Sequence, residues 1–462
     1  MEIEVSNKII IKNYTNDLEA WCRGHLVLPN PEFYKKEKMG KWTGNTPRNI
    51  VLYERDADNL YLPFGCLKSI YNLCKENATF LPKIAPFRRV NYNSYISLYN
   101  YQEEAVKKAI TRKNGVIVMP CGAGKTQTGL ELISRIGIKA LWLTHTQDLL
   151  NQSLNRAKTV LGASKDSYGT ITGGKVNIGY GITFATVQTM ANIDTAQYKD
   201  AFDMVIVDEC HKAIGTPTKV MMFYKVLSNI SCRYKYGLTA TPHRADGLEQ
   251  CMFSLIGDII HEVPKEAVKD TTCPVNVKYI NTDYFPNEDI VLAGDGTLNY
   301  ARLIDDLIDN KDRFKIVSDT INGLKGKGAV LVLANRVNYL EKLKESCKLN
   351  SICLSTLGQS KGARMVRKNA LIALNNGELE CIFATYQLAK EGLDVPNLRY
   401  VVFASPEKDE TIVIQSAGRV GRKADGKECG TVIDFIDNFG MYKGWQKKRE
   451  KFYKKLDYNI LT

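Results

Sequence analysis

Nowhere in this 462-residue sequence do two cysteines stand as Cys-x-x-Cys, although it contains twelve cysteines. Cys66 and Cys74, or Cys347 and Cys353, are too isolated to offer the clustered thiolates of a four-ligand zinc site. Several cysteines lie inside apolar runs, as Cys381 does in Cys-Ile-Phe-Ala, and are expected to be small buried side chains in a reducing compartment. No apolar run approaches the roughly 20 residues that span a bilayer, which argues against a membrane helix. Met1-Glu2-Ile3-Glu4 shows no basic-then-apolar pattern, so a cytoplasmic location is expected, or a nuclear one if the source has a nucleus. Neither low-complexity tracts nor repeats of about 20–50 residues occur, which disfavours solenoids and linker-like chains.

What is present fits a globular protein with substantial cores: 44% hydrophobic and 24% charged residues, in a chain long enough for two to four domains. The formal charge of +13 favours a polyanionic partner such as nucleic acid, although many basic proteins bind none. Residues 1–95 mix short β-type runs (Lys8 to Ile11, Asn49 to Tyr53, Leu60 to Gly65) with turn residues, and predict a small α+β module. From about residue 96 the pattern changes. Continuous apolar runs such as Val116 to Met119, Ala140 to Leu143, Ile182 to Ala185 and Met204 to Val207 alternate with helical stretches. That alternation predicts a parallel sheet covered on both faces, in a first α/β domain over 96–265. Residues 264 to about 300, with Pro264, Pro274, Pro286 and Ala293-Gly294-Asp295-Gly296, suggest a connector at the start of the 266–462 segment. A second doubly wound α/β domain then follows, with strands expected at Ala329 to Leu333, Cys381 to Ala384, Tyr400 to Phe403 and Thr431 to Asp434. The last twenty residues, with Lys443, Lys447, Lys448, Arg449, Lys451, Lys454 and Lys455 among aromatics, predict a basic helix that either adds nucleic-acid affinity or is a solvated face.

Two motifs carry chemistry. Pro120-Cys121-Gly122-Ala123-Gly124-Lys125-Thr126 follows a predicted strand and opens a predicted helix. Such a loop aims backbone N–H groups and a helix N-terminus at phosphate oxygens. Lys125 would neutralise the outer phosphates, and the Thr126 hydroxyl would bind Mg²⁺. The strict G-x-x-x-x-G-K-[ST] pattern fails at its first position, where Met119 stands. Eighty residues on, Val205-Ile206-Val207-Asp208-Glu209-Cys210-His211 places two carboxylates at a strand tip, where open α/β sheets bind ligands. Asp208 could hold Mg²⁺ through water, Glu209 could polarise the attacking water, and His211 could sense the nucleotide. Each motif has a plainer alternative: an exposed lysine in a glycine-rich turn, and a solvated acidic pair.

Together Gly-Ala-Gly-Lys-Thr and Asp-Glu-Cys-His resemble motifs I and II of the superfamily 2 helicases, and the other motifs follow in the family's order over roughly residues 96–440. Tyr101-Gln102 is similar to the glutamine motif, which implies that Gln102 reads adenine. Thr144-His145-Thr146 and Ala185-Thr186-Val187-Gln188-Thr189 resemble segments that touch the nucleic-acid backbone, which implicates Thr144, Thr186, Gln188 and, in motif V, Thr385. Leu238-Thr239-Ala240-Thr241-Pro242 resembles motif III, so Thr239 and Thr241, with His211, would couple hydrolysis to movement. Gly392 and Asp394 would shape the motif V loop near the ribose. Gln415-Ser416-Ala417-Gly418-Arg419-Val420-Gly421-Arg422 resembles motif VI, with Ser416 where many relatives carry arginine. Arg419 and Arg422, three apart, would share a helix face and reach from the second domain to ATP held by the first, with Gln415 near the γ-phosphate.

The details 237–247 and Pro-Cys-Gly-Ala-Gly-Lys-Thr look most like the branch containing the DNA-repair helicase XPB and phage helicases. Met39 to Thr46 resembles the N-terminal DNA-contacting module of phage-type members. The resemblance implies two RecA-like domains, ATP and Mg²⁺ as cofactors, and action on forked, branched or tailed DNA with 3′-to-5′ polarity. It also implies replication or recombination proteins as partners, a monomer, and the host cytosol if the gene is phage-borne. An RNA helicase, the motor of a restriction or remodelling complex, and a regulator with a dead ATPase site are the competing expectations. Trp42 could stack on a base, but packing inside the module is the expectation here.

Overall fold

The computed structural model describes residues 1–120, 122–213, 217–242, 247–292, 297–358, 360–390 and 395–461. The chain divides into two compact units, Met1–Pro120 with Gly124–Ala267, and Cys121–Ala123 with Val268–Thr462.

The first unit contains an eight-stranded sheet. In spatial order its strands are Lys175–Asn177, Tyr168–Thr172, Ile182–Thr186, Ala140–Thr144, Met204–Asp208, Tyr234–Thr239, Asn114–Val118 and Ile259–Glu262. Every neighbouring pair is parallel except the first. The central strands are buried along their whole length, which is why they are apolar without alternation. Helices Lys125–Ile136, Gln147–Val160, Val187–Asn192 and Pro217–Asn229 connect them. Gly129 lets the first of these helices lie close on the sheet: a Cβ there would stand 2.8 Å from the Trp142 ring and 2.9 Å from Leu238.

The N-terminal module is a five-stranded sheet ordered Glu54–Arg55, Asn59–Pro63, Lys8–Lys12, Glu2–Val5 and Thr79–Pro82. Here burial alternates along the strands, with Ile3, Ile9, Ile11, Leu60 and Leu62 turned inward. The change of pattern near residue 95 is no break in packing. A single apolar cluster runs from Ile3 and Ile11 through Phe64 and Cys66 to Met252 and Ile256. A Cβ on Gly65 would collide with the carbonyls of Phe253 and Ser254. The Asn7 amide donates to the Ser228 carbonyl. The buried Lys235 ammonium donates to the Leu227 carbonyl at 2.9 Å and sits 4.8 Å over the Phe64 ring.

The second unit carries seven parallel strands in the order Ser351–Cys353, Cys381–Thr385, Ala329–Ala334, Leu398–Phe403, Gly430–Ile436, Val275–Asn281 and Asn459–Leu461. One strand falls inside the expected connector. Val275–Asn281 alternates buried and partly exposed positions near the sheet edge, so it lacks the continuous apolar run that marks the central strands. Ala293-Gly294-Asp295-Gly296 lies outside the described residues. The basic C-terminal helix forms over Gly440–Lys455, but Arg449 is not on its solvated face. Its guanidinium is buried in a bidentate pair with Asp434, both contacts 2.8 Å, and Tyr453 completes the cluster. Arg313 makes a second such pair with Asp437, at 2.7 and 3.1 Å. The eleven described cysteines are all free, nine of them buried. No described helix is long and apolar enough to cross a membrane.

Candidate nucleotide site and nucleic-acid contacts

The strand Asn114–Val118 ends at Met119, which is buried and donates its N–H to the Thr239 carbonyl at 2.8 Å. Met119 therefore extends the sheet one step, where a glycine would only loosen it. Gly122 and Gly124 both take left-handed backbone conformations (φ 84° and 77°), and helix Lys125–Ile136 starts directly after them. An L-residue at 124 would be strained, and its Cβ would collide with the Gln102 amide. Gln102 is thus buried against the loop, with its carbonyl oxygen accepting the Tyr99 N–H at 3.0 Å. Turned amides, a helix N-terminus and the Lys125 ammonium suit a polyphosphate.

At the tip of the neighbouring strand Asp208 is buried and Glu209 is partly buried. Asp208 accepts the Glu209 N–H at 3.0 Å. Lys125 Nζ lies 3.6 Å from Glu209 Oε1. Glu209 itself has φ +49°, a left-handed conformation that a non-glycine residue adopts at a cost. Burial, reinforced by the neighbouring Glu209 charge, pushes the Asp208 carboxyl up to about 7. Burial works in the same sense on Glu209, yet the Lys125 ammonium, together with His211, Lys212 and His145, outweighs it and holds that carboxyl below its ordinary value. The Asp208 carboxylate offers a hard oxygen ligand that a divalent cation would hold ionised, with the Thr126 hydroxyl as a second oxygen donor. No cluster of three His, Cys, Asp or Glu side chains that could hold a metal occurs among the described residues, and Mg²⁺ needs none, since water and phosphate complete its shell.

From Glu209 a short relay runs inward. His211 Nδ1 lies 3.3 Å from Glu209 Oε2 and 2.9 Å from Thr239 Oγ1. Thr239 Oγ1 in turn accepts the Thr241 N–H at 3.1 Å. Burial depresses His211 to about 3, so the imidazole is neutral at physiological pH. The structure therefore brings Lys125, Asp208, Glu209, His211, Thr239 and Thr241 into one connected group.

In the second unit the helix Glu410–Ala417 stops before the two motif arginines. Gly418 caps it, and Arg419, Val420 and Arg422 continue as a tight turn of i→i−3 bonds. The expectation of a shared helix face is corrected: Arg422 instead forms an isolated bridge with Thr272. Arg419 is buried and donates to the Ala389 carbonyl at 2.5 Å. Gln415 and the buried Ser416 lie on the helix just before them. Gly392 and Asp394 lie outside the described residues.

The threonines expected at the nucleic acid are mostly committed elsewhere. Thr144 is 1% exposed and donates to the Thr146 carbonyl at 3.0 Å. Thr186 and Thr385 are N-caps, accepting the N–H groups of Thr189 and Leu388, both at 3.3 Å. Each strand here turns at once into a helix, and the first helical N–H groups need an acceptor. The Thr144 hydroxyl proton is thus already given to Thr146, whereas the N-cap role of Thr186 uses its oxygen only as an acceptor. Gln188 alone among the four has an exposed side chain. The packing expectation for Trp42 is also overturned: its side chain is 86% exposed.

Residues 95–244 match the family model of the type III restriction enzyme res subunit, and residues 312–424 match the helicase conserved C-terminal domain. The chain is 28% identical to a protein of Acanthamoeba polyphaga mimivirus with the provisional name ATP-dependent RNA helicase L396, over 75% of this chain and 64% of that protein. It is 26% identical to the DNA 3′-5′ translocase XPB2 of Sulfurisphaera tokodaii, over 77% of this chain and 85% of the relative. It is 24% identical to the ATP-dependent DNA helicase uvsW of Enterobacteria phage T4, over 92% and 86%. Among solved structures, the Hef helicase domain of Pyrococcus furiosus aligns with a TM-score of 0.51 and 18% identity, covering 76% of this chain and 97% of that one, which supports the two RecA-like folds.

Proposed function

This chain belongs to superfamily 2 of the helicases, and from that premise we infer that it is an ATP-driven DNA translocase running 3′ to 5′ on forked or branched duplexes. Helicase domains and relatives make it an ATP-dependent helicase enzyme. The observation that carries the mechanism is the connected group from Lys125 through Glu209 and His211 to Thr239 and Thr241. It joins the residues suited to phosphate and water activation to a loop suited to transmitting the result.

In this scheme the turned loop and Lys125 bind the phosphates of ATP, and Gln102 reads the adenine. Mg²⁺, held through Thr126 and Asp208, would offset phosphate charge. Glu209, kept ionised by Lys125 and its other cationic neighbours, orients and deprotonates water. Gln415, Arg419 and Arg422 contribute from the second unit, where arginine side chains stabilise charge on the transferring phosphoryl group. His211 and Thr239 relay the change to the strand-holding segments around Gln188 and Thr385. DNA is favoured over RNA because the uvsW relative, named for DNA, matches over 92% of this chain. The mimivirus relative supports RNA as the second reading. Replication or recombination proteins are the partners such an activity would meet.

The test is ATP hydrolysis and unwinding across forks, four-way junctions, and 3′- or 5′-tailed duplexes of DNA and RNA. Stimulation by DNA, with unwinding of forks and 3′-tailed duplexes, is the expected result. Stimulation by RNA alone, or unwinding of only 5′-tailed substrates, would replace it.

A further inference from the structure

Trp42 is the most exposed large hydrophobic side chain among the described residues. It sits on an excursion between two short paired strands, Val27–Pro29 and Asn49–Val51. The buried Asn30 clasps the base of the excursion. Its backbone N–H donates to the Arg48 carbonyl at 3.0 Å, its amide donates to the Pro47 carbonyl at 2.6 Å, and its carbonyl oxygen accepts the Glu32 N–H at 3.1 Å. Helix Pro31–Lys38 inside the excursion has no buried residue, so it serves no core.

The turn beyond the helix is nevertheless well defined. Lys41 N–H bonds back to the Lys36 carbonyl at 2.9 Å, and Thr46 N–H to the Thr43 carbonyl at 2.9 Å. The Lys36 ammonium ties to Thr46 Oγ1 at 2.7 Å. The Trp42 ring lies against Gly44: a Cβ there would stand 2.5 to 2.8 Å from three of its ring atoms. Gly44 is also left-handed, φ +47°. An indole held against glycine on a bonded turn, with the rest of its surface in water, is presented rather than left over.

Its surroundings define what it is presented to. The excursion carries five cations, Lys35, Lys36, Lys38, Lys41 and Arg48, against two carboxylates, Glu32 and Glu37, with Lys36 paired to Glu32 at 3.2 Å. Met39 beside it is 55% exposed, and the Arg48 guanidinium lies 5.9 Å from the Tyr34 ring centre. A protein-docking patch would present a broader apolar area. A single indole among cations matches a base stacked between phosphates.

We propose that the Met39–Thr46 turn is a base-stacking element, in which Trp42 stacks on an unpaired nucleobase while the flanking lysines meet the adjoining phosphates. The inference rests on the nucleic-acid reading above and locates a contact outside the helicase motifs.

The test uses the full chain without ATP, a single-stranded oligonucleotide as DNA and as RNA, and polyglutamate as the competing polyanion. Of the four tryptophans, Trp142 is fully buried and Trp21 and Trp445 are half-buried, so acrylamide reports chiefly on Trp42. Saturating oligonucleotide is expected to quench the emission and shield it from acrylamide, and both effects are expected to vanish in Trp42→Phe. Trp42→Ala should weaken binding of labelled strand roughly tenfold, within the range for losing one stacked base, with Trp42→Phe restoring most of it. If wild-type protein binds strand by anisotropy and hydrolyses ATP while Trp42 stays open to acrylamide, stacking is overturned and the motor reading stands. If only polyglutamate shields Trp42, the surface binds acidic protein and the proposal is likewise overturned. Absence of any strand binding would remove the motor reading and this proposal together.

Discussion

Replacing Thr239 by valine removes one oxygen and almost no volume. That oxygen is fully buried, lies 2.9 Å from His211 Nδ1, and accepts the Thr241 N–H. After the change, the neutral imidazole keeps only the longer 3.3 Å contact to Glu209 Oε2. Leaving one buried polar partner unpaired costs about 1–3 kcal/mol. In a unit of this size that lowers the melting temperature by roughly 2–4 °C per kcal/mol, a loss that scanning calorimetry resolves. The functional effect should be larger and selective. If His211 and Thr239 carry the signal between hydrolysis and strand, losing the contact removes a coupling on the order of 1–3 kcal/mol, or about 5–150-fold. Stimulation of ATP hydrolysis by DNA should therefore collapse about tenfold, while unstimulated hydrolysis changes little. Steady-state phosphate release with and without strand measures both numbers on one sample. Equal losses in the two rates would refute the relay and reduce Thr239 to a packing residue.

Lys125→Ala should abolish hydrolysis by removing both the phosphate partner and an ammonium that helps keep Glu209 ionised; Glu209→Gln should still bind ATP, seen with a fluorescent analogue, without turning it over. Arg313→Met should destabilise the second unit by about 3–5 kcal/mol in urea unfolding, because Asp437 is left buried without its partner. A hydrogen bond from Cys381 holds the half-buried Cys347 thiol down to about 6 against burial. Its alkylation by iodoacetamide should accordingly rise with pH through about 6 and level off by pH 7.5, as mass spectrometry of the labelled peptide would show; a rate still rising tenfold per unit above pH 7 would contradict this.

Continuous apolar runs made the central strands of both sheets legible in the sequence, because burial on two faces leaves no room for polar positions. The same rule hid Val275–Asn281, whose alternation belongs to a strand near an edge. Residue order exposed the phosphate loop and acidic box, since their chemistry is carried by neighbours in the chain. What lay beyond reach was set by distant partners. Arg449 looked like one more surface charge until Asp434 appeared beneath it. The arginines of 419 and 422 were spaced for a helix that Gly418 ends. The local bonds of Thr144 and Thr186 were likewise hidden, because residue type does not say which backbone group a hydroxyl meets. Trp42 gave no local sign of its exposure, because nothing in the sequence says that the helix before it has no core to serve.

The continuity of packing between the N-terminal sheet and Phe253 to Ile256 has a practical consequence. Trimming the chain at residue 95 would strip cover from Cys251, Met252 and Ile256 and leave an oily scar on the remaining fragment. A truncated protein that fails on DNA would be reporting aggregation, so the role of the module has to be dissected by single surface substitutions in the intact chain.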